Sequence, residues 1–379
     1  MFFKSRRFFL IVLLLVIISL SLFTSCSHQG DLSSRRDYLL ARVLDPEFGP
    51  SSMPELIGPQ FQGEWALVTL SMTAMGLAND AFNNSAFEQK ARVSIEKIVR
   101  LMLLPKIREF DTKLWKEDAL SSLSSPKGHI GYLGHLNIAL GCYAIMGGKD
   151  ADLLLLHKDI SHALSRKLEF NENLLLDTYP GEIYIPDNVV IASSLGMYDL
   201  SRGSTYVTLL ARWVKYYEEA LVDDLGGLVF GAKFDRTPEG KSRGSGIGWN
   251  SHYLPFISNS LATKQYEVAK THFFHRYAFV NLLAVKEYAK NWSGSGDIDS
   301  GPVIFGASPA ATGFMIAGAR HASDKAVEED LLSTASFFGL SIVSSRGKYY
   351  LFCPLVGDAI LYAGRTATKW DRRFIKHAF

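Results

Sequence analysis

Two kinds of apolar pattern alternate along this chain. The first is nearly uncharged and rich in small residues. It covers residues 64–79 (Trp65, Ala66, Leu67, Leu70, Met72, Ala74, Gly76), 128–147 (Gly134, Ile138, Ala139, Gly141, Cys142, Ala144), 187–200, 309–322 and 357–368. The second is amphipathic, with apolar residues at three- and four-residue spacing between charges. It covers 86–104, 152–170, 205–222, 265–290 and 325–343, and 249–262 is mixed. The first pattern predicts helices buried on most sides, and the second predicts helices with one wet face.

The small-residue helices begin near Gln62, His129, Asp187, Trp249, Pro309 and Gly357, at intervals of 67, 58, 62, 60 and 48 residues. Six near-equal repeats, each unable to bury its apolar face alone, predict stacked helical hairpins. Small residues let an inner ring of helices approach closely, and the amphipathic partners form an outer ring. The expected fold class is all-α, an (α/α)6 toroid over residues 61–370, with short β-hairpins in the rim loops. Strand-like pieces occur at 174–176, 227–231, 233–234 and 345–352. The glycine- and serine-rich stretches 237–248 and 293–301 each precede an inner helix and read as lid loops.

One stretch, residues 179–200 (YPGEIYIPDNVVIASSLGMYDL), organises the rest. Its aromatic loop runs into Pro186-Asp187-Asn188, a helix start signal. The repeat, this loop and Asp299-Ser300-Gly301-Pro302 ahead of an inner helix resemble the (α/α)6 toroid enzymes. Among them the chain is most similar to linalool dehydratase-isomerase-like domains, and secondly to six-hairpin glycosidases and sugar epimerases. The resemblance implies a central cavity at the inner-helix starts. The dehydratase-isomerase type implies cysteines at that cavity, and neither Cys142 nor Cys353 matches such a position.

Composition narrows the partners. Net charge is +2 with both signs dispersed, which gives no reason to expect a nucleic-acid partner. Lys4, Arg6 and Arg7 precede an apolar run of 15 residues, 8–22, and Phe23-Thr24-Ser25-Cys26 follows. That order predicts a lipoprotein signal over 1–25 with acylation of Cys26. The chain is then anchored in a bacterial envelope membrane, most simply the outer membrane because Ser27 follows the cysteine, and faces the periplasm or the cell surface. Residues 26–60 read as a tether carrying a first helix. Cys142 and Cys353 read as free thiols, and their spacing with histidine fits no zinc site.

Helix starts favour oxygen-rich ligands through their free N–H groups. The polar residues at these starts are therefore the candidates. Asp187, Glu64 and His252 are expected to supply acid/base chemistry. Tyr184, Trp249, His129, Tyr132, Asn188, Tyr253 and Asp299 are expected to contact substrate. Capping alone also explains Asp187 and Asn188, and His129 and His135 also read as structural histidines. Asp297 and Asp299 lack a calcium loop's ligand series. No dinucleotide fingerprint and no GxSxG elbow occurs, so neither metal nor cofactor is expected. The chain reads as an extracytoplasmic enzyme acting on a hydroxylated small molecule or glycan, by dehydration and isomerisation or as a hydrolase, lyase or epimerase. The alternative is a non-catalytic envelope lipoprotein that binds glycan or lipid. Nothing in the sequence fixes the oligomeric state.

Overall fold

A computed structural model describes residues 28–232, 238–278 and 280–370. The signal segment, Cys26 and the strand-like pair 233–234 lie outside the described residues. Among the described residues thirteen α-helices dominate, with three small antiparallel sheets, so the fold is mostly helical.

The helices are α1 (His28–Val43), α2 (Gly58–Asn83), α3 (Glu88–Met102), α4 (Pro105–Trp115), α5 (Ile130–Ile145), α6 (Ala151–Phe170) and α7 (Ile185–Arg202). They continue with α8 (Val207–Ala220), α9 (Gly244–Asn250), α10 (Asn259–His272), α11 (Pro309–His321), α12 (Lys325–Gly339) and α13 (Leu355–Thr366). Six of them carry the small-residue pattern: α2, α5, α7, α9, α11 and α13. Each of these contacts the next in that order, and α13 returns to α2. Each also packs against an amphipathic or N-terminal neighbour: α2 with α3, α5 with α6, α7 with α8, α9 with α10, α11 with α12 and α13 with α1.

Glycine sets the spacing between these six helices. A Cβ on Gly134 of α5 would sit 3.0 Å from Ile191 of α7, and one on Gly141 would sit 3.2 Å from Met197. Gly76 of α2 faces Tyr362 at 2.5 Å, and Gly313 of α11 faces Leu361 at 3.2 Å. Early residues meet early residues and late meet late, so these neighbours run parallel and start at one end. Their interior is continuous core (Leu70, Met72, Ile138, Ile191, Tyr362).

Two helical expectations fail in detail. The stretch 265–290 is not one helix. Helix α10 ends at His272, and Phe274–Tyr277 (β4) pairs antiparallel with Leu282–Val285 (β5) around a turn that puts Asn281 at φ 51°. Aromatic and branched residues there favour a pleated, half-buried surface over a helix. The stretch 249–262 is broken as well. Pro255 starts a short 3-10 turn, and Ser258 caps α10 by accepting from the Leu261 amide at 3.2 Å. Helix α4 was unforeseen, because Pro105 opens a new helix where the amphipathic run ends.

The stretch 237–248 is not a lid. Pro238–Glu239 (β3) joins Ile183–Tyr184 (β1) and Gly231–Ala232 (β2) in a small sheet. Residues 244–248 are a buried helical turn. A Cβ at Gly244 would lie 2.0 Å from the Lys286 carbonyl, so glycine there serves packing. The expected hairpin at 345–352 forms slightly earlier, from Ser341–Ser344 (β6) and Gly347–Tyr350 (β7).

Two substitutions test this spacing rule. In Gly196→Ala the new Cβ would meet the Phe256 carbonyl at 2.0 Å, and the variant should lose about 1–3 kcal/mol. In Gly131→Ala the Cβ meets nothing within 4 Å, and the gain in helix propensity should make the variant as stable as the parent or up to about 1 kcal/mol more so. Urea titration of both variants decides: equal destabilisation would refute the packing argument.

Candidate functional site

The loop before α7 is built by its sequence. Tyr179-Pro180-Gly181-Glu182 closes a turn with the Glu182 amide donating to the Tyr179 carbonyl at 2.9 Å. Proline second and glycine third, with Gly181 at φ 83°, is the chemistry of a type II turn. Asn188 then holds the loop. Its amide nitrogen donates to the carbonyls of Leu176 (3.0 Å) and Tyr184 (2.9 Å), and its oxygen accepts from the Leu176 amide (2.8 Å). Asn188 is fully buried and spends every polar atom on this clamp. It positions the site rather than contacting substrate.

The turn delivers Tyr179 to Glu64. The tyrosine hydroxyl donates to Glu64 Oε2 at 3.0 Å, and Gln60, one helical turn earlier, donates to Oε1 at 3.2 Å. Thr178 hydrogen-bonds the Asp187 carboxylate and accepts from the Tyr184 amide at 3.2 Å. Tyr179 and Tyr184 meet edge to face at 5.8 Å, and Tyr184 meets Phe230 at the same distance.

Three carboxyl groups share this space. Burial raises Glu64 to about 7, against the hydrogen bonds of Gln60 and Tyr179, and the charges of Asp187 and Asp299 raise it further. Burial raises Asp187 to about 7, with Thr178 opposing and Asp299 adding to the rise. Burial raises Asp299 to about 6, followed by the charge of Asp297. Glu64 and Asp187 are half-buried and Asp299 still meets solvent, although protein surrounds all three. Burial and nearby carboxylates also push up the hydroxyls of Tyr179 and, to about 12, Tyr184.

Asp299 is placed by an ionic relay. Glu287, fully buried, accepts from Arg243 Nε at 2.6 Å and from the Ser245 hydroxyl at 2.7 Å. Arg243 also pairs with Asp297 at 2.6 Å. Asp297 in turn accepts from the backbone amides of Asp299 (3.1 Å) and Ser300 (3.0 Å). Burial raises Asp297, and the Arg243 pair and Ser300 bonds outweigh it, so Asp297 stays ionised beside its raised neighbour. An open cleft of about 530 Å³ adjoins the cluster, between Leu56, Ile57, Phe61 and Trp65 on one side and Gly296, Ile298 and Pro302 on the other.

The floor is aromatic. Trp249 meets His135 at 5.8 Å, Tyr253 at 5.3 Å and Phe314 at 5.5 Å. His135 hydrogen-bonds Ser71 at 3.2 Å, and burial lowers it to about 4, so it is neutral. Tyr253 is fully buried, lies within reach of the Asp187 charge and donates to the Met72 sulfur at 3.8 Å. Cys142 lies behind it, completely buried, with its thiol pushed up by burial.

The remaining expected residues sit elsewhere. His129 bridges Asp111 (2.6 Å) and Glu117 (3.2 Å) and rests on Trp115, facing α4. The Tyr132 hydroxyl is spent on the Met102 carbonyl at 3.1 Å. His252 packs against Gly364, near the end of α13, and within reach of His321, the last residue of α11. It lies toward the opposite end of these helices from Asp187, and burial lowers it to about 3. The structure thus joins Asp187 to Glu64, and His252 has no contact with that cluster. Tyr179, Thr178, Gln60 and Arg243 were not singled out from sequence. Tyr179 stood in the turn signature, and Gln60 stood one turn before Glu64.

Among the described residues no group of three or more potential ligands is arranged to hold a metal ion. No helix of the described residues is long and apolar enough to cross a membrane. No family model matches the chain.

The raised carboxyls fix a sign for pH dependence. A group whose folded pKa exceeds its unfolded value stabilises the fold fully below the unfolded value, and that stability is lost as pH rises through the folded one. For Glu64 the window runs from 4.5 to about 7. Glu64→Gln should therefore match the parent near pH 4 and melt higher at pH 8, by the equivalent of about 1–3 kcal/mol. Thermal melts across pH check this. A variant less stable than the parent at pH 8 would mean that the ionised carboxylate is held favourably.

Proposed function

We propose that the six small-residue helices form the inner ring of an (α/α)6 toroid and that the cluster at their starts is an acid/base active site for a hydroxylated substrate. One observation carries the reading: Glu64, Asp187 and Asp299 are each raised toward neutrality, the charges of Asp187 and Asp299 act on Glu64, and that of Asp299 acts on Asp187. Acid/base catalysis is most effective when the group's pKa lies near the working pH, and paired carboxyls with displaced values are the usual way to hold a proton donor beside an acceptor. Asp187 serves as proton donor. Glu64, aligned by Tyr179 and Gln60, is its partner. Trp249 and Tyr184 supply apolar and edge contacts for the ligand body.

The carbohydrate-active form, as hydrolase, lyase or epimerase, is favoured over the dehydratase-isomerase form. The acids are carboxyls, and the nearby thiol, Cys142, is buried behind Tyr253 with its pKa raised. The protein acts outside the cytoplasm, tethered through a lipid on Cys26. A binding lipoprotein without catalysis remains the rival, and turnover separates the two.

A screen of oligosaccharides and terpenoid alcohols identifies the substrate. On that substrate, Asp187→Asn and Glu64→Gln should each cut kcat by about 100-fold or more while the fold persists. The parent should show a bell-shaped pH profile centred near neutrality. Full activity in both variants would sink the assignment. Binding without turnover of any substrate would leave the rival.

A further inference from the structure

Helix α1 is locked to the β6–β7 hairpin at its N-terminal end. Asp31 sits among three cations: it pairs with Arg35 at 3.1 Å, with Lys348 of β7 at 2.6 Å, and with Arg365 of α13. Arg35 also donates to the Ser341 hydroxyl of β6 at 2.6 Å. Tyr38 stacks on Tyr349 at 4.6 Å, nearly parallel. A Cβ on Gly347 would strike the Ser34 carbonyl at 2.2 Å, so strand and helix touch backbone to backbone.

This lock leaves almost no slack. Cys26 precedes α1 by two residues and Asp31 by five. Five residues span at most roughly 18 Å. Whatever conformation the intervening residues take, a lipid on Cys26 holds the hairpin close to the bilayer.

Among the described residues, the hairpin and its flanks carry a close group of exposed large apolar side chains. Phe338 is 52% exposed, Val343 74%, Leu351 46% and Phe352 72%. The backbone ties Phe352 to Gly339 at 3.0 Å and Leu351 to Leu340 at 3.0 Å, which sets Phe352 beside the Phe338 end of α12. Arg346 is exposed at the turn between the strands. Large apolar side chains with a cation among them suit a headgroup–acyl boundary, and such clusters are rarely left in water.

We propose that this face, residues 338–352, is a membrane-docking surface that seats the domain on the lipid leaflet carrying its own anchor. The proposal rests on the reading that Cys26 is lipidated. The anchor supplies membrane residence, and the hairpin fixes orientation.

The test uses the full chain in membranes of a lipoprotein-processing bacterial host, with a diazirine-bearing phospholipid as photoprobe. Adducts mapped by mass spectrometry should fall several-fold more often on 338–352 than on α6, whose Leu155 and Phe170 are equally exposed. Val343→Asp with Phe352→Asp should abolish those adducts without lowering the melting temperature, because both side chains are solvent-facing. Adducts spread evenly, or concentrated on Leu56 at the cleft or on Phe305, overturn the proposal while leaving the anchor intact. So does a protein crosslink showing the face covered by a second copy or by residues 1–27. A chain absent from the membrane fraction overturns anchor and docking together.

Discussion

The structure depends on how closely parallel helices can approach one another. Gly76, Gly134, Gly141, Gly248 and Gly313 each stand where a Cβ would press on a neighbouring helix. This close approach forces the helix starts into one small region, and with them whatever side chains those starts carry. The acids are then crowded as a consequence of packing. With looser helix packing Glu64 and Asp187 would stand apart, each better solvated.

The crowding has to overcome an opposing force. Asp187 lies in the first turn of α7, where the helix dipole favours its ionised form by about 0.3–1 kcal/mol, or about 2 when partly buried. Its rise from 3.8 to about 7 corresponds to about 4 kcal/mol in the other direction. Desolvation, helped by Asp299, therefore exceeds both the dipole and the Thr178 bond. Asp297 shows the contrasting outcome nearby. It has Arg243 as a partner, and its carboxyl falls below the usual range. Within one loop, two residues apart, a direct pair with the Arg243 guanidinium separates the lowered Asp297 from Asp299, which Arg243 reaches only through space and which burial raises.

Much of this was legible in the sequence. The alternation of small-residue and amphipathic segments located most of the helices, and Pro186-Asp187-Asn188 marked the start of α7 to within two residues. Glu64, Asp187 and Asp299 were drawn from helix-start positions alone, and Asp187 and Asp299 lie within electrostatic reach of Glu64. What failed was anything that required knowing which face a side chain takes. His129 and Tyr132 stand at a helix start yet turn toward α4, where Asp111 and the Met102 carbonyl claim them. His252 was one turn too deep. Residues 244–248 looked like a flexible loop because glycine and serine serve both flexibility and close packing, and only the Lys286 carbonyl at 2.0 Å tells the two apart. Tyr179 escaped notice because its role is set by Glu64, 115 residues away.

The division of labour in the carboxyl cluster follows from what each acid is attached to. Glu64 is held by two donors, so its orientation is fixed while it is ionised. Asp187 has only Thr178, a hydroxyl that can donate to the carboxylate or accept from the acid. A proton can therefore leave and return at Asp187 without breaking the network, whereas protonating Glu64 weakens the bonds that Tyr179 and Gln60 donate. Asp299, tied through its backbone to the Arg243–Asp297 pair, contributes a charge whose position is set by α9 and Glu287. The proton affinity of the central pair is thus coupled to how the 297–302 loop sits.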